Sequence, residues 1–150
     1  MSEIRETRLQ KANSLIRKGF ASYAEIFKVS HTTQFLIQKF DYLQNGQEED
    51  FKVSIAGRVI AKRIMGKIAF YTILDQEGQI QLYLDKGIIN CNLETQKLLS
   101  FEDIKEIVDI GDWIGVCGNI KKTNKGELSI KVEKWEMLSK SLQPLPDKWH

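Results

Sequence analysis

The sequence is poor in the residues from which disulfide frameworks, metal sites and rigid turns are built. It has two cysteines, two histidines and two prolines among 150 residues. Cys91 and Cys117 are far apart and neither belongs to a CxxC pair, so a zinc site is poorly supported and a disulfide framework is not needed at this size. Cys117 lies in the apolar run WIGVCG, where we expect a small buried thiol.

Long apolar runs are also missing. No uninterrupted stretch approaches the roughly 20 residues that a membrane-spanning helix needs. The charged beginning, MSEIRETRLQK, lacks the apolar centre of a secretory signal. A hydrophobic share of 42% is nevertheless enough to build a core. We therefore expect a folded, soluble and cytoplasmic protein without membrane contact.

Motifs for catalysis are equally scarce. The sequence contains no GxxxxGK[ST] phosphate loop, and neither His31 nor His150 belongs to a recognisable nucleophile–base motif. Carboxylates are plentiful but scattered, as is typical of a solvated surface. The sequence therefore offers no catalytic residues and no metal ligands, which favours a binding function.

The first 50 residues have helical periodicity. Apolar side chains recur at helical spacing within residues 4–18, and Gly19 follows as a stop signal. A second helix is predicted to begin at Thr32, an N-cap residue, with apolar positions at Phe35, Leu36, Phe40 and Leu43. The polar stretch QNGQEED at 44–50 ends it. Residues 1–50 are thus predicted to form an N-terminal helical arm.

Beyond residue 50 the pattern changes to the alternation of β-strands. Strands are predicted over 52–64, 68–75 and 79–85, followed by a helix-compatible pattern over 94–108 and two further strands, DWIGVCGNIKKT and ELSIKVEKWEML. Asn124-Lys125-Gly126 is the hairpin signal between the last two. Five strands with a helix between the third and fourth is the element order of an OB-fold barrel.

An open α+β sheet would use the same elements, but two features favour a closed barrel. The first strand is long enough to serve both halves, and Gly57 lies where such a strand must bend. The predicted fold is therefore mainly β with helices: a five-stranded Greek-key OB-fold barrel over residues 51–140. Residues 141–150 contain both prolines and are predicted to be an extended linker.

Positive charge is clustered although the net charge is only +2. The first cluster lies on the first strand and its turn and consists of Arg58, Lys62, Arg63 and Lys67. The second lies on the last hairpin and consists of Lys121, Lys122, Lys125, Lys131 and Lys134. In an OB-fold these two loops flank the nucleic-acid groove. Phe70, Tyr71 and Tyr83 lie between them, and one or two of these rings can face the groove. This combination favours single-stranded nucleic acid, although lysines at hairpin tips also serve solubility and edge protection.

Three blocks of the sequence resemble the N-terminal, anticodon-binding region of class II lysyl-tRNA synthetases. They are AGRVIAKRIMGKIAFYTILDQEGQIQLYL (56–84), KTNKGELSI (122–130) and LQPLPDKWH (142–150), in the order in which that family has them. The resemblance covers nearly the whole chain and includes nothing of the catalytic domain. It implies that 141–150 leads toward a catalytic domain absent here, that ATP and Mg²⁺ are needed only by the full-length enzyme, and that this chain has no cofactor and no activity of its own.

The resemblance also implies a partner, the U-rich anticodon stem-loop of lysine tRNA. Phe70 would stack on the central anticodon base, Gln81 and Arg63 would read the edge of that base, and Glu127 would contact the first base. Weaker contacts to the RNA backbone are expected from Arg58, Lys62, Lys67, Lys121, Lys122 and Lys125. Two alternatives stay open: an assembly or dimerisation module, and a general single-stranded nucleic-acid binder. The full-length enzyme is expected to be a homodimer, whereas the oligomeric state of this chain is left open.

Overall fold

Five strands form a closed barrel in the computed structural model, which describes residues 27–91 and 100–141. The strands are β1 (Glu48–Met65), β2 (Ile68–Leu74), β3 (Gln79–Asp85), β4 (Trp113–Lys122) and β5 (Leu128–Ser139), and their order around the barrel is β1-β2-β3-β5-β4. The predicted five-stranded barrel is confirmed. The predicted helix at 4–18, most of the predicted linker and residues 94–99 of the third predicted helix lie outside the described residues.

The long first strand serves both halves of the barrel, as predicted. Residues 48–58 pair with β4 and residues 58–65 pair with β2. Gly57 lies at this changeover, where an added Cβ would come within 2.9 Å of the Leu74 carbonyl oxygen. A larger residue would therefore push β1 and β2 apart. The strand begins four residues before its predicted start because Glu48 and Glu49 pair with Lys121 and Ile120 of β4.

Within the described residues, three short helices accompany the barrel: α1 (Thr33–Lys39), α2 (Lys86–Asn90) and α3 (Phe101–Ile107). Thr32 caps α1 as predicted, since its side chain accepts a hydrogen bond from the Phe35 N–H at 3.2 Å. The predicted continuation of this helix to Leu43 is wrong. Beyond Lys39 the chain turns, and the carbonyl oxygens of Asp41 and Leu43 accept hydrogen bonds from the Lys122 ammonium instead of helical N–H groups.

The other two helices connect β3 to β4. A capping box between Ser100 and Asp103 begins α3 inside the predicted helical region. Helix α2 was not predicted from the sequence. Its signal is Asp85, whose carboxylate accepts hydrogen bonds from the N–H groups of Gly87 and Ile88 and so acts as an N-cap.

The core fills the barrel and extends beneath α1. Leu36, Phe40 and Leu43 belong to the same buried cluster as the inward-facing side chains of the strands, among them Ile55, Val59, Ile73, Leu82, Ile114, Val116 and Ile130. Tyr71 is also buried, and its hydroxyl donates to the Ile104 carbonyl oxygen at 3.3 Å. Burial, together with the charge of Asp109, raises the pKa of Tyr71. Cys117 is half-buried rather than buried, with its sulfur 3.1 Å from the Ser54 hydroxyl.

A charged cluster fastens the end of β5 to the loop that precedes β4. The Lys140 ammonium, almost fully buried, lies 2.6 Å from the Ile107 carbonyl oxygen and from one carboxylate oxygen each of Asp109 and Asp112. Asp112 is completely buried and also accepts from the N–H groups of Asp109 and Ser141. Burial raises the pKa of Asp112 in spite of these contacts. The cluster is stable only while every charge in it keeps its partners.

Replacing Lys140 with alanine should therefore destabilise the barrel strongly. The substitution leaves the buried Asp112 without its cation, which typically costs about 3–5 kcal/mol. Lys134→Ala, a half-buried lysine on β5, is the matched control and should change the free energy of unfolding by less than about 0.5 kcal/mol. Urea unfolding measures both. Equal stability of the two variants would show that the cluster contributes nothing.

A single carboxylate connects α1 to the β2–β3 turn. Asp75 accepts four hydrogen bonds: from the Thr33 N–H and hydroxyl, both at 2.9 Å, and from the N–H groups of Glu77 and Gly78 at 2.8 and 3.0 Å. Burial by itself raises the pKa of Asp75, but these bonds together outweigh it and lower the pKa below the ordinary value of 3.8. The ionised form of Asp75 thus holds the helix on the barrel.

Acid should release this contact. A carboxyl whose pKa is lower in the folded state stabilises the fold above its unfolded pKa, and that contribution is lost as the pH falls through the folded pKa. Asp75→Asn should be less stable than the parent chain at pH 7, and the difference should narrow as the pH falls below about 4. Asp50→Asn, an exposed control on β1, should follow the parent chain throughout. A difference independent of pH in denaturant titrations would contradict the assignment.

Candidate nucleic-acid interface

A groove of about 350 Å³ crosses the outer face of the barrel beside the β4–β5 hairpin. Strands β1, β2 and β3 supply its floor, and the hairpin forms one wall. The lining residues are Arg63, Met65, Phe70, Gln81, Tyr83, Lys121, Thr123, Asn124, Lys125 and Glu127. All four residues expected to read the anticodon, Arg63, Phe70, Gln81 and Glu127, are among them.

Strand register explains why residues so far apart in sequence meet here. Arg63 lies opposite Phe70, Phe70 opposite Tyr83, and Tyr83 opposite Lys131, so one row crosses four strands. Side chains in such a row point to the same face of the sheet. Since Tyr71 points into the core, two of the three aromatic residues considered from the sequence, Phe70 and Tyr83, line the groove.

The two aromatic rings form an edge-to-face pair. Their centroids are 5.7 Å apart and their planes are inclined by 65°. The Lys121 ammonium lies 5.3 Å from the centroid of Tyr83. Tyr83 is thus fixed between a ring and a cation, whereas Phe70, half-buried at the groove, is supported from one side. The sequence predicts Tyr83 on a strand beside the groove, but Tyr83 is not among the residues expected to contact RNA.

A hydrogen-bonded chain runs from β3 to the hairpin wall. The amide nitrogen of Gln81 donates to the Ser129 hydroxyl oxygen at 3.0 Å, and that hydroxyl donates to the Glu127 carbonyl oxygen at 3.2 Å. Gln81 and Ser129 are neighbours because β3 and β5 pair in parallel at this point. Ser129 is completely buried. The sequence analysis did not identify Ser129, whose only signal is its position within the GELSI block.

The hairpin wall is held by its own turn. Thr123 accepts from the Glu127 N–H through its hydroxyl at 3.1 Å and donates its own N–H to the Glu127 carbonyl oxygen at 3.0 Å. Gly126 has φ of +88°, a conformation that favours glycine. The predicted turn at 124–126 is therefore confirmed, and it leaves the Glu127 side chain exposed at the groove.

Lys121 is paired with an acid on the neighbouring strand β1. Glu48 lies 2.8 Å from the Lys131 ammonium and 3.2 Å from that of Lys121. The hydrogen bond from Lys131 lowers the pKa of Glu48 most; burial opposes it, and Lys121 lowers it further. A phosphate that approached Lys121 would compete with Glu48 for this charge.

The structure separates the predicted backbone contacts into two groups. Lys121 and Lys125 line the groove. Lys62 and Lys122 donate to carbonyl oxygens of the protein, those of Val108 and of Asp41 and Leu43. Arg58 and Lys67 also lie outside the groove.

Arg58 begins the half of β1 that pairs with β2, and Lys67 lies just beyond the end of that strand. The Arg58 guanidinium lies 5.6 Å from the centroid of the Trp113 ring. Lys67 is exposed in the β1–β2 turn, where its carbonyl oxygen accepts from the Lys86 N–H at 3.0 Å. Neither residue lines the groove, so their contacts to RNA stay predictions.

Within residues 27–91 and 100–141, no three His, Cys, Asp or Glu side chains are grouped so as to hold a metal ion. The helices of the described ranges also lack the length and apolar character that crossing a membrane requires.

Comparisons with known proteins identify the family of the barrel. Residues 53–138 match the tRNA anticodon family model, described as an OB-fold nucleic acid binding domain. Over all 150 residues the chain is 88% identical to a lysine–tRNA ligase of Prochlorococcus marinus strain MIT 9312, 84% to that of strain MIT 9301 and 51% to that of Synechococcus sp. strain RCC307. These matches cover 29%, 29% and 28% of the relatives, so the chain spans less than a third of their length. The resemblance to lysyl-tRNA synthetases is confirmed.

The two lysines of the hairpin should respond differently to removal. Lys122→Ala loses two hydrogen bonds from a charged donor to the carbonyls after α1, and should lower the free energy of unfolding by about 1–2 kcal/mol. Lys125→Ala, at the exposed tip, is the matched control and should stay within about 0.5 kcal/mol of the parent chain. Chemical unfolding measures both. Similar losses in the two variants would mean that Lys122 does not hold the helix end.

Proposed function

Since the chain belongs to the family of OB-fold nucleic acid binding domains, and has the sequence of the corresponding part of lysine–tRNA ligases, we propose that it binds the anticodon stem-loop of lysine tRNA and reads its U-rich anticodon. One observation carries the proposal. Arg63, Phe70, Gln81 and Glu127, which come from three strands and a hairpin, line one groove.

The shape of the groove suits an unpaired base. Bases in a single-stranded loop expose both their faces and their edges, and aromatic side chains bind the faces by stacking. Phe70 offers such a face between Arg63 and Tyr83, its two neighbours in the row that crosses the sheet. A base seated on Phe70 would have Gln81 and Arg63 within the same groove beside its edge.

The polar side chains suit uracil in particular. Uracil presents two carbonyl oxygens and one N–H on its pairing edge. An arginine donates to a carbonyl oxygen, and a glutamine can both donate and accept, so this pair can satisfy the whole edge. Glu127 at the hairpin would accept from the N–H of the first anticodon base, where cytosine has a bare ring nitrogen. A mismatched base leaves buried polar groups unpaired, which costs on the order of 1–3 kcal/mol.

The RNA backbone would be held by fewer lysines than the sequence suggests. Lys121 and Lys125 line the groove, on the wall that a strand entering it would pass. We propose these two as the main phosphate contacts of the hairpin. Each neutralised phosphate contributes a salt-dependent share of affinity, with a slope of roughly −0.7 in log K per log salt for a single strand.

Charging of the tRNA is proposed only for a longer protein. The relatives are named as lysine–tRNA ligases and are more than three times as long as this chain. Attachment of lysine, with ATP and Mg²⁺, would be the work of the longer protein, acting as a cytoplasmic homodimer. The groove described here would contribute by positioning the anticodon while chemistry takes place elsewhere.

Binding to short RNA stem-loops tests the proposal directly. The chain should prefer a UUU loop over a UCU loop in fluorescence anisotropy, and Phe70→Ala should weaken UUU binding about 5- to 150-fold, the range of a lost stacking contact. Phe35→Ala, an exposed aromatic on α1, is the matched control and should bind as the parent chain does. Measurements at two salt concentrations separate base reading from backbone attraction.

Two results would replace the proposal. Equal binding of UUU and UCU, unaffected by Phe70→Ala, would indicate a general single-stranded nucleic-acid binder. Absence of binding at low salt, together with self-association in ultracentrifugation, would indicate an assembly module.

A further inference from the structure

We propose that Ser129 is a positioning residue that fixes the side-chain amide of Gln81 with its oxygen toward the groove, and so makes the groove select uracil over cytosine. Ser129 does not line the groove and would not touch the RNA. The inference rests on the proposed function and assigns the source of its specificity to a buried hydroxyl.

The orientation of the Gln81 amide follows from the protons available at Ser129. The Glu127 backbone carbonyl can only accept, and the Ser129 hydroxyl has a single proton, which it donates to that carbonyl at 3.2 Å. Toward Gln81, the Ser129 oxygen can then only accept. The Gln81 amide must therefore present its NH₂ group, which it does at 3.0 Å. This determines which end of the amide is nitrogen and which is oxygen.

The opposite orientation of the Gln81 amide would cost a hydrogen bond. In a flipped amide the Gln81 oxygen would face the Ser129 oxygen, and the hydroxyl could donate to it only by leaving the Glu127 carbonyl, which would keep the Thr123 N–H as its donor. Ser129 is completely buried, so water is not at hand to replace the lost hydrogen bond. The barrel itself also resists adjustment, because Ser129 is paired with Gln81 of β3 and with Lys121 of β4.

The fixed orientation of the Gln81 amide would determine which base the groove accepts. With its nitrogen held by Ser129, Gln81 can offer its oxygen to a base in the groove. Uracil has an N–H at ring position 3, which this oxygen can accept. Cytosine has an unprotonated ring nitrogen there, so two acceptors would face each other. A glutamine that could flip would satisfy either base, hence discrimination depends on the hydroxyl behind it.

Removing that hydroxyl should change specificity more than affinity. In Ser129→Ala the Gln81 amide is free to flip, so the UCU loop should bind more strongly relative to the UUU loop. The ratio of the two binding constants should fall about tenfold. A gain for the wrong base is a readout that simple loss of structure does not give. Thr72→Val is the matched control, because Thr72 lies opposite Gln81 on β2 and the substitution removes only a hydroxyl. This variant should prefer UUU over UCU as strongly as the parent chain does.

A second measurement does not need RNA. In ¹⁵N spectra of the parent chain, the Gln81 side-chain NH₂ protons should exchange slowly with water, and this protection should disappear in Ser129→Ala but persist in Thr72→Val. Thermal unfolding of the three proteins verifies that each is folded.

The outcomes separate the inference from the function on which it rests. If the parent chain prefers UUU and Ser129→Ala keeps that preference, or weakens both loops equally, the positioning role is overturned and anticodon reading stands. If the parent chain binds UUU and UCU equally, both are overturned, even where the amide protons are protected.

Discussion

Three pairs of residues close this barrel and build its groove at the same time. Gln81, Leu82 and Tyr83 of β3 pair in parallel with Ser129, Ile130 and Lys131 of β5. Without this contact, β1–β2–β3 and the β4–β5 hairpin would be joined only through β1. The middle pair contributes Leu82 and Ile130 to the core, while the outer pairs bring the Gln81 amide to Ser129 and Tyr83 to Lys131. The closure of the barrel and the proposed recognition groove therefore depend on one short ladder.

Such a closed barrel needs places where backbones approach closely. Gly57 provides one between β1 and β2, and Gly118 another, where an added Cβ would collide with the Lys131 carbonyl. Lys131 is itself the end of the row that starts at Arg63. Glycine at these two positions thus lets the backbones of neighbouring strands approach closely, and at Gly118 this happens beside the end of the row that crosses the groove.

Much of this architecture could be predicted from the sequence because its signals are local. Alternation of apolar residues predicted all five strands, and Thr32 and Asn124-Lys125-Gly126 marked a helix start and a turn. The ends of elements were harder to predict: α1 stops at Lys39 although Leu43 continues the periodicity, since Leu43 is buried from a turn instead of a helix. The residues proposed to read bases came from family resemblance, and the structure brings them into one groove.

The roles of individual lysines could not be predicted in this way, and the reason is physical. Lys121 and Lys122 are adjacent in β4, so their side chains leave opposite faces of the strand. Lys121 reaches the groove and Glu48, while Lys122 reaches the carbonyls after α1. An ammonium group can donate to a phosphate or to a carbonyl oxygen, and only the tertiary fold decides which is present. Clustered positive charge in a sequence therefore overstates the number of phosphate contacts, because part of that charge holds the fold together.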